Sequence, residues 1–331
     1  MNGAADIGGR PGRSLIYVHG GNFKPAAEDL MDINVAAMSA GLERDFPEDL
    51  EAFRALDKRL SYYGDLTNDF LSSRGRHFDE SLDIGDLRNA LLKLRSLERK
   101  KQFGVSRYDR LPGKTALREF AADVIAPVLG SLGLSRLLIA AVARDLAEYW
   151  SDKSDFDERV RARVCRSLCE VLDRGDQVLL VSHGTGCIVA YDVLWQLSHD
   201  SELAPKHAHQ KIDTWLTIGS PLGDSMVRRR ILGAREKGRS KYPGNIVTWH
   251  NVSAEDDYYC HDNTLADDFR SMLKQRQISS VRDYRVYNLA IRYGKSDPHN
   301  SIGYLIHPRV AQIISEWLKT APADPLPKST L

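Results

Sequence analysis

Residues 178–191, with the sequence VLLVSHGTGCIVAY, limit the folds open to this chain more than any other segment. A continuous apolar run ends at Ser182, and apolar residues resume at Cys187 with helical spacing. This change of period predicts a buried strand, a very tight turn and a buried helix. Gly184 and Gly186 lie where strand and helix must nearly touch, and glycine has no side chain to hold two backbones apart. We therefore expect a sheet with helices packed directly against it.

Further strands and helices alternate along the chain, which predicts a mostly parallel sheet flanked by helices on both faces. The fold class expected from this order is α/β. Helices are predicted at 155–172 and 310–318. Strands are predicted at 14–18, 214–218, 245–249 and 284–289, and another strand end at 60–66.

The composition changes between residues 75 and 149. Arginine and lysine become abundant, strand patterns vanish, and apolar residues recur with helical spacing at 87–101 and 116–150. We predict that this segment is an inserted helical cap or lid over the sheet. The remaining segments are then an α/β core at 14–74 and 150–320, with flexible termini at 1–13 and 321–331.

Composition excludes several classes of protein. The 331 residues are 42% hydrophobic and 27% charged, which is typical of a globular protein. A net charge of +1 gives no reason to expect a nucleic-acid partner. The first 13 residues lack the apolar region of a signal peptide, and no run of about 18 apolar residues could span a membrane. Four cysteines fit no zinc spacing, so we expect a cytoplasmic protein with reduced thiols, no metal and no cofactor.

Two glycine turns follow predicted strands, and ligands of open α/β sheets bind where strands end. After the first strand comes His19-Gly-Gly-Asn, in which the N–H of Gly21 is a candidate donor to an oxyanion. The other turn has the layout small-x-Ser-x-small of a nucleophile elbow, with Gly184 in place of the serine. The N–H of Thr185 would be the second oxyanion donor. The alternatives are a plain tight turn for the first segment and a phosphate-binding turn for the second, although neither the Rossmann nor the P-loop spacing is met.

A carboxylate and a histidine follow the later strands. Glu255, Asp256 and Asp257 come after the strand at 245–249, and His299 lies between the last strand and the last helix. The order of nucleophile position, acid and histidine is the one that α/β-hydrolases use. An exposed acidic loop and a solvated histidine are the alternatives for each segment taken alone.

Together these motifs resemble the α/β-hydrolase fold, and more narrowly the bacterial lipase-like or esterase-like hydrolases. The resemblance covers about residues 14–70 and 155–318 and leaves the helical insert unmatched. In that family the acid tends to lie about six residues after the Asn of Trp-x-Asn, which selects Asp257, with Asp256 as the second choice. The matching segments are Val18-His19-Gly20, Ser182-His183-Gly184-Thr185-Gly186, Ala190-Tyr191-Asp192, Gly219-Ser220-Pro221, Trp249 with Asn251, and His299.

The resemblance implies a serine esterase or lipase acting on a small-molecule carboxylic ester or lactone. A serine at position 184 would attack the ester carbonyl, His299 would take its proton, and Asp257 would orient the imidazole. The chain departs from the family at Gly184, so the expectation is a hydrolase that lacks its nucleophile, through engineering or natural loss. A non-catalytic binding protein of the same fold, and an enzyme that uses His299 and Asp257 without a covalent step, are the alternatives. For the apolar stretch 124–142 of the cap we expect packing on the core first, and contact with lipid second.

Overall fold

A six-stranded sheet in which every neighbouring pair of strands is parallel lies at the centre of the fold. The computed structural model describes residues 12–113, 144–151, 154–260 and 264–320. The strand order is β2-β1-β3-β4-β5-β6, and a short antiparallel pair, β7-β8, stands apart. The α/β fold class is therefore confirmed. The strands are β1 (Arg13–Val18), β2 (Asp57–Ser61), β3 (Gln177–His183), β4 (Ile212–Ile218), β5 (Ile246–Ala254), β6 (Ser280–Val286), β7 (Ile291–Arg292) and β8 (Lys295–Ser296).

Helices cover both faces of the sheet. They are α1 (Ala27–Asp45), α2 (Leu50–Arg54), α3 (Gly64–Ser73), α4 (Glu80–Arg95), α5 (Val105–Tyr108), α6 (Arg144–Tyr149), α7 (Phe156–Asp173), α8 (Gly186–His199), α9 (Ala204–His207), α10 (Ser225–Arg228), α11 (Leu265–Asp268), α12 (Arg270–Lys274), α13 (Ser301–Leu305) and α14 (Pro308–Lys319). Short 3₁₀ turns lie at Pro47–Asp49, Lys100–Gln102, Pro221–Gly223, Gly238–Lys241 and Tyr258–Cys260. No helix in the described ranges is long and apolar enough to cross a membrane.

The apolar strand residues alternate between two cores. In β3, Val178 and Leu180 pack with α7 and α8, whereas Leu179 and Val181 pack with α1, α13 and α14. All four side chains are fully buried. A strand covered on both faces needs apolar residues at every position, and this explains why the sequence of β3 is a continuous apolar run.

Most predicted strands lie where the sequence placed them, with longer bounds. The predicted strand at 284–289 ends earlier, because β6 pairs with β5 from Ser280 to Val286 and the chain then leaves the sheet. The strand end predicted at 60–66 is wrong in its second half, since β2 ends at Ser61 and helix α3 begins at Gly64. The N–H of Tyr63 bonds to the imidazole of His19 instead of a neighbouring strand.

The described parts of the predicted insert, 75–113 and 144–149, contain helices and no strand. Helix α4 buries Leu87, Leu91 and Leu94 in the core on the α1 side of the sheet. Its Asp83 and Asp86 pair with Arg292 of β7. The predicted helix at 116–150 lies outside the described residues up to residue 143, so the cap stays a prediction. Of the predicted flexible termini, 1–13 and 321–331, only residues 12 and 13 are described, and Arg13 is the first residue of β1.

The turn between β3 and α8 passes very close to the end of β1. A Cβ atom built on Gly186 would lie 2.2 Å from the carbonyl oxygen of His19. This oxygen belongs to the backbone of a buried loop and cannot swing aside. The close contact therefore requires glycine at position 186.

We predict that Gly186→Ala destabilises the fold by about 3 kcal/mol or more, since the added methyl group forces two backbone segments apart. Gly85→Ala is the matched control, because a Cβ at Gly85 in α4 meets no atom within 4 Å. The control is expected to gain about 0.5–1 kcal/mol from the better helix propensity of alanine. Urea denaturation of both variants gives the free energies of unfolding, and equal effects would contradict the proposed contact.

A buried carboxylate connects helix α8 to the end of the insert. Asp192 accepts hydrogen bonds from the Tyr149 hydroxyl at 2.8 Å and from the Leu232 N–H at 2.8 Å. Burial raises the pKa of Asp192 from 3.8 to about 6, despite these hydrogen bonds and the charge of Arg161. The folded state thus holds the Asp192 proton more tightly than the unfolded state does.

This shift predicts that stability falls with rising pH. The contribution of Asp192 is fully present below pH 3.8, its unfolded value, and is lost as the pH rises through about 6. The difference corresponds to about 3 kcal/mol. Asp192→Asn should therefore gain stability relative to the wild type between about pH 4 and pH 7, measured by urea denaturation at each pH. Asp267→Asn, at an exposed carboxylate in α11, is the control that should follow the wild type.

Candidate active site

The carboxyl ends of four neighbouring strands carry the candidate residues to one edge of the sheet. The His19 loop follows β1, Gly184 follows β3, Gly219 follows β4, and Asp257 lies just beyond β5. His299 reaches the same edge from the segment before α13. Parallel pairing explains this convergence, since it places all carboxyl ends together.

Gly184 has a left-handed backbone, with φ of +54°. Its N–H donates to the carbonyl oxygen of Ile218 at 3.1 Å, which holds the turn against β4. A Cβ atom built here would lie 2.9 Å from Nε2 and 3.2 Å from Cε1 of His299. The structure thus brings position 184 and His299 into contact.

The imidazole of His299 also fills the space that a serine side chain would need. The sequence predicts a nucleophile position facing a histidine, and a Cβ atom only 2.9 Å from Nε2 means that the ring has to shift to admit a side chain there.

Asp257 and His299 form a hydrogen-bonded pair in which the carboxylate is buried. Nδ1 of His299 donates to the two carboxylate oxygens of Asp257, at 3.1 and 2.9 Å. The carboxylate also accepts from the Tyr304 hydroxyl at 2.6 Å and from the Tyr259 N–H at 3.0 Å. Because the carboxylate can only accept, Nδ1 carries the proton and Nε2 is the ring nitrogen that faces Gly184.

Asp256, the second choice for the acid, faces elsewhere. Its backbone is left-handed, with φ of +60°, and its carboxylate accepts from the Tyr108 hydroxyl at 2.7 Å. Tyr108 belongs to α5 in the predicted insert. Of the two carboxylates, the structure brings Asp257 to His299 and ties Asp256 to the insert.

Aromatic rings enclose the His299 imidazole. The Tyr259 ring stacks on it with centroids 3.7 Å apart and an angle of 13°, and the His183 ring lies 4.5 Å away. Nε2 of His183 donates to the His299 carbonyl at 2.8 Å. Burial, and then the neighbouring His299, lower the pKa of His183 well below its usual value, so this ring stays neutral. Tyr304 and Tyr259 were missed in the sequence, where no spacing or motif distinguishes them from core tyrosines.

The predicted oxyanion donors lie on the turns that flank Gly184. Neither Gly21 nor Thr185 donates a backbone hydrogen bond from its N–H within the described part of the chain. The loop that carries Gly21 is held from its other side, because Nζ of Lys24 donates to the carbonyls of Gly21 and Phe23. The two N–H groups stay the oxyanion donors that the sequence predicts.

His19 is a structural residue of this loop. Its Nε2 accepts from the Tyr63 N–H at 3.1 Å, and the Tyr63 hydroxyl donates to the His19 carbonyl. Burial lowers the pKa of His19 to about 3, with a smaller contribution from the charge of Lys24. The ring is therefore neutral and positions the loop.

A cleft of about 900 Å³ opens beside His299. This volume suits a ligand of ordinary small-molecule size. Its walls combine aromatic side chains with cationic ones, and they include four residues from the start of the predicted insert: Arg76, Phe78, Asp83 and Leu87. Representative lining residues are Phe23, Phe78, Tyr258, Lys24, Arg76 and Arg292.

No family model, no curated protein and no solved structure matches the chain. In the ranges that the structure describes, no three His, Cys, Asp or Glu side chains are grouped to hold a metal ion. The fold is an α/β fold compatible with an α/β-hydrolase, and the geometry of the site is the basis for assigning a function.

We predict that Tyr304→Phe destabilises the fold by about 1–3 kcal/mol, because Asp257 and the Ala254 N–H each lose a buried hydrogen-bond partner. Tyr293→Phe removes a hydroxyl from a side chain that is 58% exposed and should change stability by less than about 0.5 kcal/mol. Urea denaturation compares the two. A Tyr304→Phe protein as stable as the control would contradict a structural role for this hydroxyl.

Proposed function

We propose that the cleft is the substrate site of an ester hydrolase of the α/β-hydrolase type in which glycine replaces the nucleophile. The substrate class is a carboxylic ester or lactone. One observation carries the proposal: Nε2 of His299, oriented by Asp257, faces the Cβ position of Gly184 on a left-handed turn between β3 and α8. A general base directed at the tip of such a turn is the arrangement that activates a serine hydroxyl.

With a serine at 184, each group has a defined role. The hydroxyl attacks the ester carbonyl while His299 accepts its proton, and the protonated imidazole later gives that proton to the leaving alcohol. Asp257 stabilises the imidazolium, and the N–H groups of Gly21 and Thr185 bind the oxyanion. These groups belong to the backbone or to other strands, so none of them depends on residue 184.

With glycine at 184, no covalent step is open to the chain. Removal of a serine nucleophile from a triad typically costs about six orders of magnitude in kcat. The remaining route is attack by a water molecule that His299 deprotonates. The side chain of His299 is 15% exposed, so solvent reaches the ring. We therefore expect binding of the ester with slow turnover.

Two alternatives differ from this proposal in their chemistry. A natural binding protein would use the cleft without any reaction, and the 2.9 Å between Nε2 of His299 and a Cβ built on Gly184 favours it, because the imidazole occupies the space of a nucleophilic side chain. An enzyme without a covalent step would use His299 and Asp257 as its complete catalytic machinery. A serine codon at position 184 of the natural gene would identify Gly184 as an engineered change, and a glycine codon would identify it as the natural residue.

We predict that Gly184→Ser reacts covalently with an ester-like phosphonate and hydrolyses short-chain p-nitrophenyl esters, whereas the wild type does neither at a comparable rate. The reason is that His299, oriented by Asp257, faces position 184, and that the imidazole is the side chain that shifts to admit the new Cβ atom. Intact-protein mass spectrometry measures the labelling, and release of p-nitrophenol measures turnover.

Gly184→Ala is the matched control, because it adds the same Cβ atom without a hydroxyl and should not be labelled. A second variant, Gly184→Ser with Asp257→Asn, should lose about 10⁴-fold in turnover through misorientation of the imidazole. Equal, robust turnover by wild type and Gly184→Ser would favour the water-based enzyme. Folded variants without labelling or turnover would favour the binding protein.

A further inference from the structure

Helix α1 contains one asparagine in the face that it buries. The buried residues of this helix are Leu30, Ile33, Asn34, Ala37, Met38, Gly41 and Leu42. The side chain of Asn34 is fully buried. Asparagine is a poorer helix former than the leucine, alanine and methionine around it, and burial of its amide is unfavourable without hydrogen bonds. Neither helix propensity nor burial therefore explains an asparagine at this position.

The amide of Asn34 is only partly satisfied. Its Oδ1 accepts a long hydrogen bond from the Ser301 hydroxyl, at 3.5 Å. Its Nδ2 is buried and donates to no residue in the described part of the chain. Proteins satisfy nearly all of their buried donors, because an unpartnered one costs stability. A donor of this kind that borders a cleft is a candidate contact for a bound molecule.

Asn34 borders the cleft beside His299. Strand β1, helix α1 and helix α13 contribute six residues to the lining of the cleft, and we call these residues the inner wall. Ser301 follows His299 by two residues, so the inner wall begins next to the imidazole. The Ser301 hydroxyl also interacts with the hydroxyl of Tyr17. The residues of the inner wall are Tyr17, Leu30, Ile33, Asn34, Ser301 and Ile302, and all except Ser301 are buried.

The inner wall has no charged side chain. A carboxylate or phosphate bound against it would have no cation among these residues, and burial of an unpaired charge is costly. The cationic residues of the cleft, such as Arg76 and Arg292, belong to other segments. A neutral carbonyl oxygen only accepts hydrogen bonds, and Nδ2 of Asn34 supplies a donor. The three aliphatic side chains of the inner wall suit the hydrocarbon that flanks such a carbonyl.

We propose that the inner wall is a substrate subsite in which the Asn34 amide donates to a carbonyl oxygen of the part of the substrate that does not react. The substrate is then an ester or lactone with a second, uncharged carbonyl group in its chain. The identity of the reacting group rests on the function proposed above, whereas the amide contact requires only a ligand in the cleft. A second unpartnered buried atom among the described cleft residues, Oγ of Ser296, agrees with an oxygenated ligand.

Matched esters test this preference in the Gly184→Ser variant. The p-nitrophenyl esters of levulinate and of pentanoate have the same leaving group and the same number of chain carbons, and only levulinate carries a carbonyl in its chain. Relative to spontaneous hydrolysis, we expect kcat/KM to be about tenfold or more higher for levulinate. Adding Asn34→Leu should abolish the preference, mainly by raising KM for levulinate. Asn34→Ala, which is too small to overpack the wall, should have the same effect.

Stability distinguishes a binding role of Asn34 from a structural one. Since Nδ2 has no partner among the described residues, Asn34→Leu should leave the urea midpoint unchanged or raise it. Ser315→Ala is the matched control, because this buried hydroxyl on α14 donates to Asp49 at 2.6 Å. The control should lower the midpoint and leave the ester preference intact. A midpoint that falls as far in Asn34→Leu as in the control would overturn the proposal.

Binding is also measured on the wild type, so that the test does not depend on turnover. The probes are methyl levulinate and methyl pentanoate, and the signal is the side-chain amide NMR resonance that disappears in Asn34→Leu. We expect only methyl levulinate to shift this resonance. Absence of turnover in Gly184→Ser together with this shift would refute the proposed hydrolysis and support the subsite.

Two further results would overturn the subsite. One is a resonance that both methyl esters shift equally or that neither shifts, as for an amide that holds only a water molecule. The other is an equal loss of kcat/KM for both p-nitrophenyl esters in Asn34→Leu.

Discussion

The buried carboxylate of Asp257 is the interaction on which the candidate site depends. A carboxylate that is only 2% exposed must be satisfied by donors, because burying an unpaired charge costs several kcal/mol. Its donors come from three places: the His299 ring, the Tyr304 hydroxyl on α13 and the Tyr259 N–H beyond β5. Together they fix the tautomer and direction of the imidazole. Residue 184 takes no part in this network, and the pair is complete without a nucleophile.

The sequence was sufficient to predict the parts of the site that follow from strand ends. Continuous apolar runs located β1, β3, β4 and β5, and parallel pairing then brought Gly184 and Asp257 to one edge. The roles of Tyr259 and Tyr304 could not be predicted, because they depend on packing between distant segments: Tyr304 bonds to Asp257, 47 residues away, and the Tyr259 ring stacks on His299. The sequence predicts that His299 faces position 184, but not the close approach of the ring, whose Nε2 lies 2.9 Å from a Cβ built there. This approach reflects the position of a ring after packing, which no local pattern encodes.

Net charge and charge distribution gave different information about this protein. The net charge of +1 gives no reason to expect a nucleic-acid partner for the whole molecule. It also hides an uneven distribution, since residues 225–244 alone carry a net charge of +6. The histidines of the site likewise differ in their surroundings, and these decide the charge and the role of each ring. Burial keeps His19 and His183 neutral, so their rings position the loop and support His299, whose ring remains partly open to solvent.

The left-handed turn at Gly184 limits the paths that evolution can take at this position. Any residue other than glycine pays about 1–2 kcal/mol for the backbone conformation and also displaces the His299 ring. Neutral drift through intermediate side chains is therefore closed. A lineage with this site either retains glycine or acquires a side chain whose chemistry outweighs the strain, and serine is reached from two of the four glycine codons by one base change.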